Sequence, residues 1–246
     1  MSFIKKYSDL ADLFFRISDY VILINIRKGD LLMLSEYQKI PASMNSNVAL
    51  KIIPGHYATT HSHITNYMEI GTLKTRCNEA HGVASALAMH YTFGTPVDTI
   101  LCADGTEVIG TYLAEELTKA GVLNTNAHKT IYVLAPEYAP NGQIIFRDNL
   151  QLAIRGKNVL ILMGSLATGL TLEGLMDGVR YYGAKVSGAC AIFSAVKEVE
   201  GIPVLSVFHP EEIPNYHSYP PQECPLCKAG QPIDALVNSF GYSILR

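Results

Sequence analysis

The run Asn158-Val-Leu-Ile-Leu-Met-Gly-Ser-Leu-Ala-Thr-Gly-Leu-Thr171 constrains the fold more than any other stretch of this chain. Val159, Leu160, Ile161 and Leu162 form an unbroken aliphatic segment, the pattern of a strand buried on both faces. It empties into a small polar turn, Ala167-Thr168-Gly169, and a helix begins directly after it. That helix places Leu172, Leu175, Met176 and Val179 on one stripe and stops at Gly183. Backbone N–H groups at a helix N-terminus, backed by the positive end of the helix dipole, form a phosphate cradle. The Thr168 and Thr171 hydroxyls add donors, so Ala167, Thr168, Gly169, Leu170 and Thr171 are the candidate phosphate-binding residues. The plainer reading of the same turn is an ordinary helix start capped by Thr168.

The rest of the chain supplies neighbours for this strand. Residues 79–91 read as a helix with Val83, Leu87 and Tyr91 on one stripe, and residues 107–120 as a helix with Ile109, Leu113 and Leu117 inward, stopped by Gly121. Short buried strands are predicted at 99–102, 130–134, 159–163, 186–193 and 204–207. Strands alternating with helices predict an α/β fold with a mostly parallel, doubly wound sheet over residues 48–246. Ligands in such sheets sit beyond the carboxyl ends of the strands, so loops 103–107, 135–149 and 163–171 are expected to converge. Residues 1–47 read as an N-terminal extension, helical at first, with Leu10, Leu13, Phe14 and Ile17 on one face. Residues 41–47 read as a linker.

Composition narrows the classes. Over 246 residues, 48% hydrophobic content and only 17% charged residues describe a buried globular core, not a disordered chain. A net charge of −3 with no cluster of Lys and Arg argues against a nucleic-acid partner. The apolar run Tyr20-Val-Ile-Leu-Ile-Asn-Ile26 stops at Arg27-Lys28, too short to span a bilayer, and no signal-peptide core precedes it. The five cysteines are odd in number and mostly scattered, which indicates free thiols in a reducing compartment; a cytoplasmic location is expected.

Taken in order, these features resemble the type I phosphoribosyltransferases, and among them orotate phosphoribosyltransferase and its close relatives, over residues 54–230. The resemblance is carried by the strand–turn–helix above and its lead-in Arg155-Gly156-Lys157-Asn158. It is carried also by Cys102-Ala-Asp-Gly-Thr-Glu107 between a strand and a helix, by Pro54-Gly-His-Tyr-Ala-Thr-Thr-His-Ser-His63 with Asn66-Tyr67, and by Cys224-Pro-Leu-Cys-Lys-Ala-Gly230. It implies a homodimer that binds phosphoribosyl diphosphate with Mg2+ and transfers ribose 5-phosphate to a base. Asp104, Gly105, Thr106 and Glu107 then stand at the pyrophosphate loop. The departures fall on the chemistry. Met163 and Gly164 stand where the family carries two acidic residues that hold the ribose. Leu134 and Ala135 stand where orotate enzymes carry an Arg-Lys pair, and the following loop, 136–149, has no Lys and one cation, Arg147.

Two functional readings follow: an orotate phosphoribosyltransferase-like protein that binds a phosphoribosyl diphosphate or nucleotide, or a non-catalytic relative that senses such a ligand. Asp104 and Glu107 either replace the lost acids or simply favour a helix N-terminus. His61 and His63, two apart with His56 nearby, would face the same side of a strand as metal ligands can, but have no fixed carboxylate partner; the pair Cys224 and Cys227 with His209 and His217 upstream has irregular spacing for a zinc site. The histidines read as loop hydrogen-bonding groups, the cysteines as a packed turn, and no metal-ligand set is assigned. Tyr67 and Lys74 fit either a ligand pocket or a core edge. His81 and His90 read as a solvated face.

Overall fold

The computed structural model describes residues 37–245, apart from positions 120, 122, 123, 128 and 141, together with the backbone of residues 12–17 and 20–25. Those last two segments are strands β1 (Asp12–Ile17) and β2 (Tyr20–Asn25), paired antiparallel. The helix expected at the start of the extension is therefore not formed over Leu13, Phe14 and Ile17; Leu10 lies outside the described residues. The physical reason is composition: Phe14, Phe15, Val21, Ile22 and Ile24 are aromatic or β-branched, types that favour an extended backbone.

A first sheet forms from β3 (Gln38–Pro41), β4 (Ala49–Ala58), β5 (His63–Glu69), β14 (Ser218–Tyr219), β15 (Ala235–Asn238) and β16 (Gly241–Ile244). Its order is β14-β5-β4-β15-β16, with β3 also on β4. Residues 41–47, expected as a linker, close the β3–β4 hairpin: Ala42 N–H donates to the Val48 carbonyl at 2.8 Å, and both residues are buried. Ile53, Tyr57, Ile64, Tyr67, Ala235 and Val237 make the core of this sheet.

The second sheet matches the sequence reading. It runs β12 (Glu198–Val199), β13 (Ile202–Phe208), β11 (Lys185–Ser194), β10 (Asn158–Leu166), β6 (Thr99–Cys102) and β7 (Tyr132–Leu134), all parallel except the edge strand β12. Strand residues alternate between faces, and the two faces meet different helices. Leu160 and Leu162, with Ile100, Cys102, Cys190 and Ile192, pack in one core with α2 (Cys77–Ala88) and α3 (Glu107–Thr118). Val159, Ile161 and Met163, with Leu101, Ala189 and Ala191, pack in another with α4 (Leu170–Tyr181). Burial on both faces explains the unbroken aliphatic run, since every position from Val159 to Gly164 is buried. A short helix, α1 (Gly71–Thr75), joins β5 of the first sheet to α2 of the second. The carboxyl ends of β6 and β10 thereby come to face the β4–β5 hairpin.

Candidate functional site

Beyond the end of β10 the chain turns at Gly169, whose φ of +87° lies in the left-handed region. A side chain there is strained, and its Cβ would sit 3.0 Å from Val199 Cγ2. Gly169 is the N-cap of α4, and no side chain caps the helix. The capping role read for Thr168 is thus not realised: Thr168 stands one position before the N-cap and is exposed. The first-turn N–H groups have no partner within the helix, and the positive dipole end adds to their pull on an anion.

This helix start opens into a cavity of about 470 Å³. Ala167, Thr168, Gly169 and Thr171 line it, whereas Leu170 points away and is 51% exposed. The opposite wall comes from the first sheet and its connections: residues 59–62 at the tip of the β4–β5 hairpin, Tyr67, Glu69, and the turn 238–241 between β15 and β16. Lys74 on α1 completes the floor.

Asp104 is the pivot. It follows β6 with a φ of +60°, a conformation that Asp tolerates better than most side chains. Its Oδ2 accepts the Gly164 N–H at 3.2 Å. Burial raises the Asp104 carboxyl above its ordinary range, outweighing the N–H groups of Gly164 and Ser165, the Lys74 charge and the Ser239 hydroxyl, which all act downward. Lys74 is 6% exposed and donates through Nζ to the carbonyls of Asp104 and Ser239, at 2.6 Å each. Burial lowers its ammonium, partly opposed by Asp104, Glu107 and Glu69.

Gly164 explains why Asp104 can sit where it does. A Cβ at position 164 would lie 3.1 Å from Ile70 Cδ1 and 3.2 Å from Asp104 Cβ. The space that a signature side chain would need is taken up by a carboxylate arriving from the neighbouring loop. Met163 is 2% exposed and lines the cavity as an apolar wall. The remaining pyrophosphate-loop candidates divide. Gly105 lines the cavity, while Thr106 is buried with its hydroxyl donating to the Ala103 carbonyl at 2.8 Å. Glu107 is exposed in the first turn of α3 and does not line the cavity, a position that the helix dipole alone accounts for.

The expected convergence of three loops is corrected for one of them. No described residue of 135–149 lines the cavity. That loop folds into a small hairpin of β8 (Glu137–Tyr138) and β9 (Ile144–Ile145), with Arg147 paired to Glu137. Ile144 and Phe146 are buried, and the Phe146 ring meets Tyr182 edge-on at 5.2 Å, which draws the loop toward the outer side of α4. Tyr138 alone comes near enough for the Asp104 charge to act on it, and burial with that charge raises its phenol. Lys74 is the only Lys or Arg among the described residues lining the cavity.

The histidine and cysteine candidates regroup. His61 lies in the exposed tip before β5, so it does not share a strand face with His63, which is buried. His63 instead meets His56, Cys224 and Cys227, all four with a ligand atom within 4.8 Å of the others. His209 bonds Ser206 Oγ through Nδ1 at 3.0 Å and His217 stacks on Tyr219, so neither joins this group. Sequence spacing missed the set because its halves are separated by 168 residues between His56 and Cys224 and meet only through the first sheet.

No protein-family model matches the chain. It is 27% identical over 187 residues to an orotate phosphoribosyltransferase of Chlorobaculum parvum, covering 75% of this chain and 88% of the relative. It is likewise 27% identical over 191 residues to an orotate phosphoribosyltransferase of Chlorobium phaeobacteroides, with the same coverage of 75% and 88%. The crystal structure of Mycobacterium tuberculosis orotate phosphoribosyltransferase in complex with inorganic phosphate superposes with a TM-score of 0.42 at 13% identity, over 60% of this chain and 79% of that one. The likeness to orotate phosphoribosyltransferase read from the sequence is thus met along three quarters of the chain.

Proposed function

We propose that this protein binds a phosphoribosyl ligand, either phosphoribosyl diphosphate or a nucleotide, with its 5′-phosphate on the N-terminus of α4. The observation that carries the reading is the uncapped start of α4, turned by the left-handed Gly169 into a closed-sided cavity. A doubly charged phosphate fits there because free N–H groups and the helix dipole supply its counter-charge without a side-chain cation. The similarity to orotate phosphoribosyltransferases supports the same reading.

The transferase chemistry of those relatives needs the diphosphate leaving group neutralised and the ribose held. Mg2+ takes oxygen ligands and is commonly bound through one or two carboxylates together with substrate phosphates. Asp104 offers one such carboxylate at the cavity, so it would hold the ion jointly with a diphosphate-bearing ligand. The ion would neutralise the diphosphate. Glu69 is less suited: its Oε1 accepts the Gly71 N–H at 2.8 Å and its Oε2 the Thr72 hydroxyl at 3.1 Å. The chain's own part is to seat the 5′-phosphate on 167–171 and to set Asp104 beside the sugar from the Gly164 backbone.

One observation favours the second reading, a binding protein that performs no transfer. Lys74 already gives two of its three N–H donors to carbonyls, and Arg147 is paired with Glu137 and does not line the cavity, so among the described residues the cavity wall offers a diphosphate one partly engaged cation. Calorimetry with phosphoribosyl diphosphate and with nucleoside monophosphates, with and without Mg2+, tests the cradle; absence of binding by both ligand types removes both readings. Pyrophosphate release on adding orotate, uracil or purine bases then separates transferase from sensor. Sedimentation measures the homodimer that belongs to the same reading.

A further inference from the structure

The group His56, His63, Cys224 and Cys227 lies on the far side of the β4–β5 hairpin from the cavity chemistry and has no part in it. We propose that these four residues form a structural zinc site that clamps the β4–β5 hairpin to the 224–227 turn. This inference is independent of the phosphoribosyl reading.

Four of the six ligand-to-ligand distances are those of a tetrahedron's edges, and the other two lie within 4.8 Å. His56 Nε2 lies 3.2 Å from His63 Nδ1, 3.5 Å from Cys224 Sγ and 3.6 Å from Cys227 Sγ, and His63 Nδ1 lies 3.3 Å from Cys227 Sγ. With Zn–N of about 2.0–2.1 Å and Zn–S of about 2.3 Å, tetrahedral edges come to about 3.3 Å for N–N and about 3.6 Å for N–S. Two imidazoles and two thiols are a donor set for zinc, and four protein ligands leave no open position, which marks a structural ion and not a catalytic one.

The second observation concerns the tautomer of His56. This residue is fully buried, and its Nδ1 faces the carbonyls of Gln231 and Pro232, each at 3.1 Å. Carbonyls only accept, so Nδ1 carries the proton and Nε2 presents a bare lone pair. Metal-bound histidines are oriented in this way, with the second ring nitrogen donating to a carbonyl. A single lone pair can accept one hydrogen bond, yet three groups crowd it. One cation at the centre satisfies the whole set.

The clamp has a structural purpose. His56 is on β4 and His63 on β5, flanking the hairpin tip, residues 59–62, that forms one wall of the cavity. Cys224 and Cys227 lie on the segment that leads into β15, Cys224 as the N-cap of α5 (Pro225–Lys228) and Cys227 within it, and this helix is a single turn with little packing of its own. Zinc would replace the core that so short a turn cannot build.

Elemental analysis of the full-length protein, expressed with zinc and purified reduced on a resin without metal, is expected to show one zinc per chain. Cobalt substitution is expected to give the absorption of a tetrahedral site with thiolate-to-cobalt charge transfer. His56→Ala removes a buried side chain and would confound folding with binding. Cys227 is exposed, so Cys227→Ser removes a ligand without opening the core; it is expected to weaken zinc at least about 10–100-fold, the range for lesser changes around a metal, while keeping the native circular dichroism. Zinc at background level with no cobalt charge-transfer band, another metal in stoichiometric amount, or undiminished zinc affinity in Cys227→Ser would each overturn the proposal.

Discussion

Gly164→Asp would install an acid where the resemblance to type I phosphoribosyltransferases places one, and the structure predicts that the substitution damages the protein. Position 164 is buried, and the new Cβ arrives 3.1 Å from Ile70 Cδ1 and 3.2 Å from Asp104 Cβ. Contacts that tight force neighbours to move, at the roughly 1–3 kcal/mol typical of an overfilled core. Gly164→Ala isolates this steric part, and for a chain of this size about 2–4 °C of Tm per kcal/mol gives a fall of roughly 2–12 °C. Gly164→Asp adds charge beside the Asp104 carboxylate. Two like charges about 4 Å apart at an effective dielectric of about 20 repel by about 4 kcal/mol, a ceiling, because the pair takes up a proton before paying it in full.

The sign with pH follows. Burial already raises Asp104, and a second carboxylate raises the pair further, so the folded state holds protons that the unfolded chain releases near pH 4 (about 3.9 for a free Asp). Relative to Gly164→Ala, the stability of Gly164→Asp is therefore highest below about pH 4, and that advantage is lost as pH rises through the folded-state value. Thermal melts by circular dichroism at several pH values, with Gly164→Ala alongside, measure this. If the Asp variant matches the Ala variant at every pH, Asp104 does not occupy the space beside Gly164, and the account of the degenerate signature fails.

Gly169→Ala is expected to cost about 1–2 kcal/mol for the left-handed backbone, roughly 2–8 °C in Tm, and to weaken phosphoribosyl ligands in calorimetry; an unchanged Tm would contradict the turn geometry. Lys74→Met leaves the Asp104 and Ser239 carbonyls without their donor, at about 1–3 kcal/mol for each group left unsatisfied, so urea midpoints should drop clearly. Asp104→Asn removes a carboxyl whose folded pKa is raised, so the stability that the wild type loses as pH rises through that value is no longer lost. Parallel pH–stability curves for the two proteins would count against the buried carboxylate.

The buried strand β10 was readable because its environment marks its central residues: helices cover both faces, and Val159 to Met163 are all buried and apolar. The same holds for the stripes of α2, α3 and α4. The first sheet was not readable as such. The β4 segment carries Pro54, Gly55 and His56 at a register shift, which breaks the alternation that would reveal a strand. The N-terminal hairpin misled because Leu13, Phe14 and Ile17 satisfy helical spacing while their aromatic and β-branched neighbours favour strands.

At the site, the division lies between local and non-local chemistry. The sequence by itself determined the strand–turn–helix that carries the candidate cradle at 167–171, since a strand, a small polar turn and a helix are consecutive in the chain and need no partner to be recognised. It also exposed the loss at Met163 and Gly164. Only the tertiary structure decided what stands beside Gly164, because Asp104 reaches it from the loop after β6, 60 residues away. It alone decided that Lys74 is spent on carbonyls, and that two histidines of one hairpin meet two cysteines near the other end of the chain. Side chains that meet across a fold have no spacing rule, so their chemistry becomes visible only when the packing of the sheets brings them together.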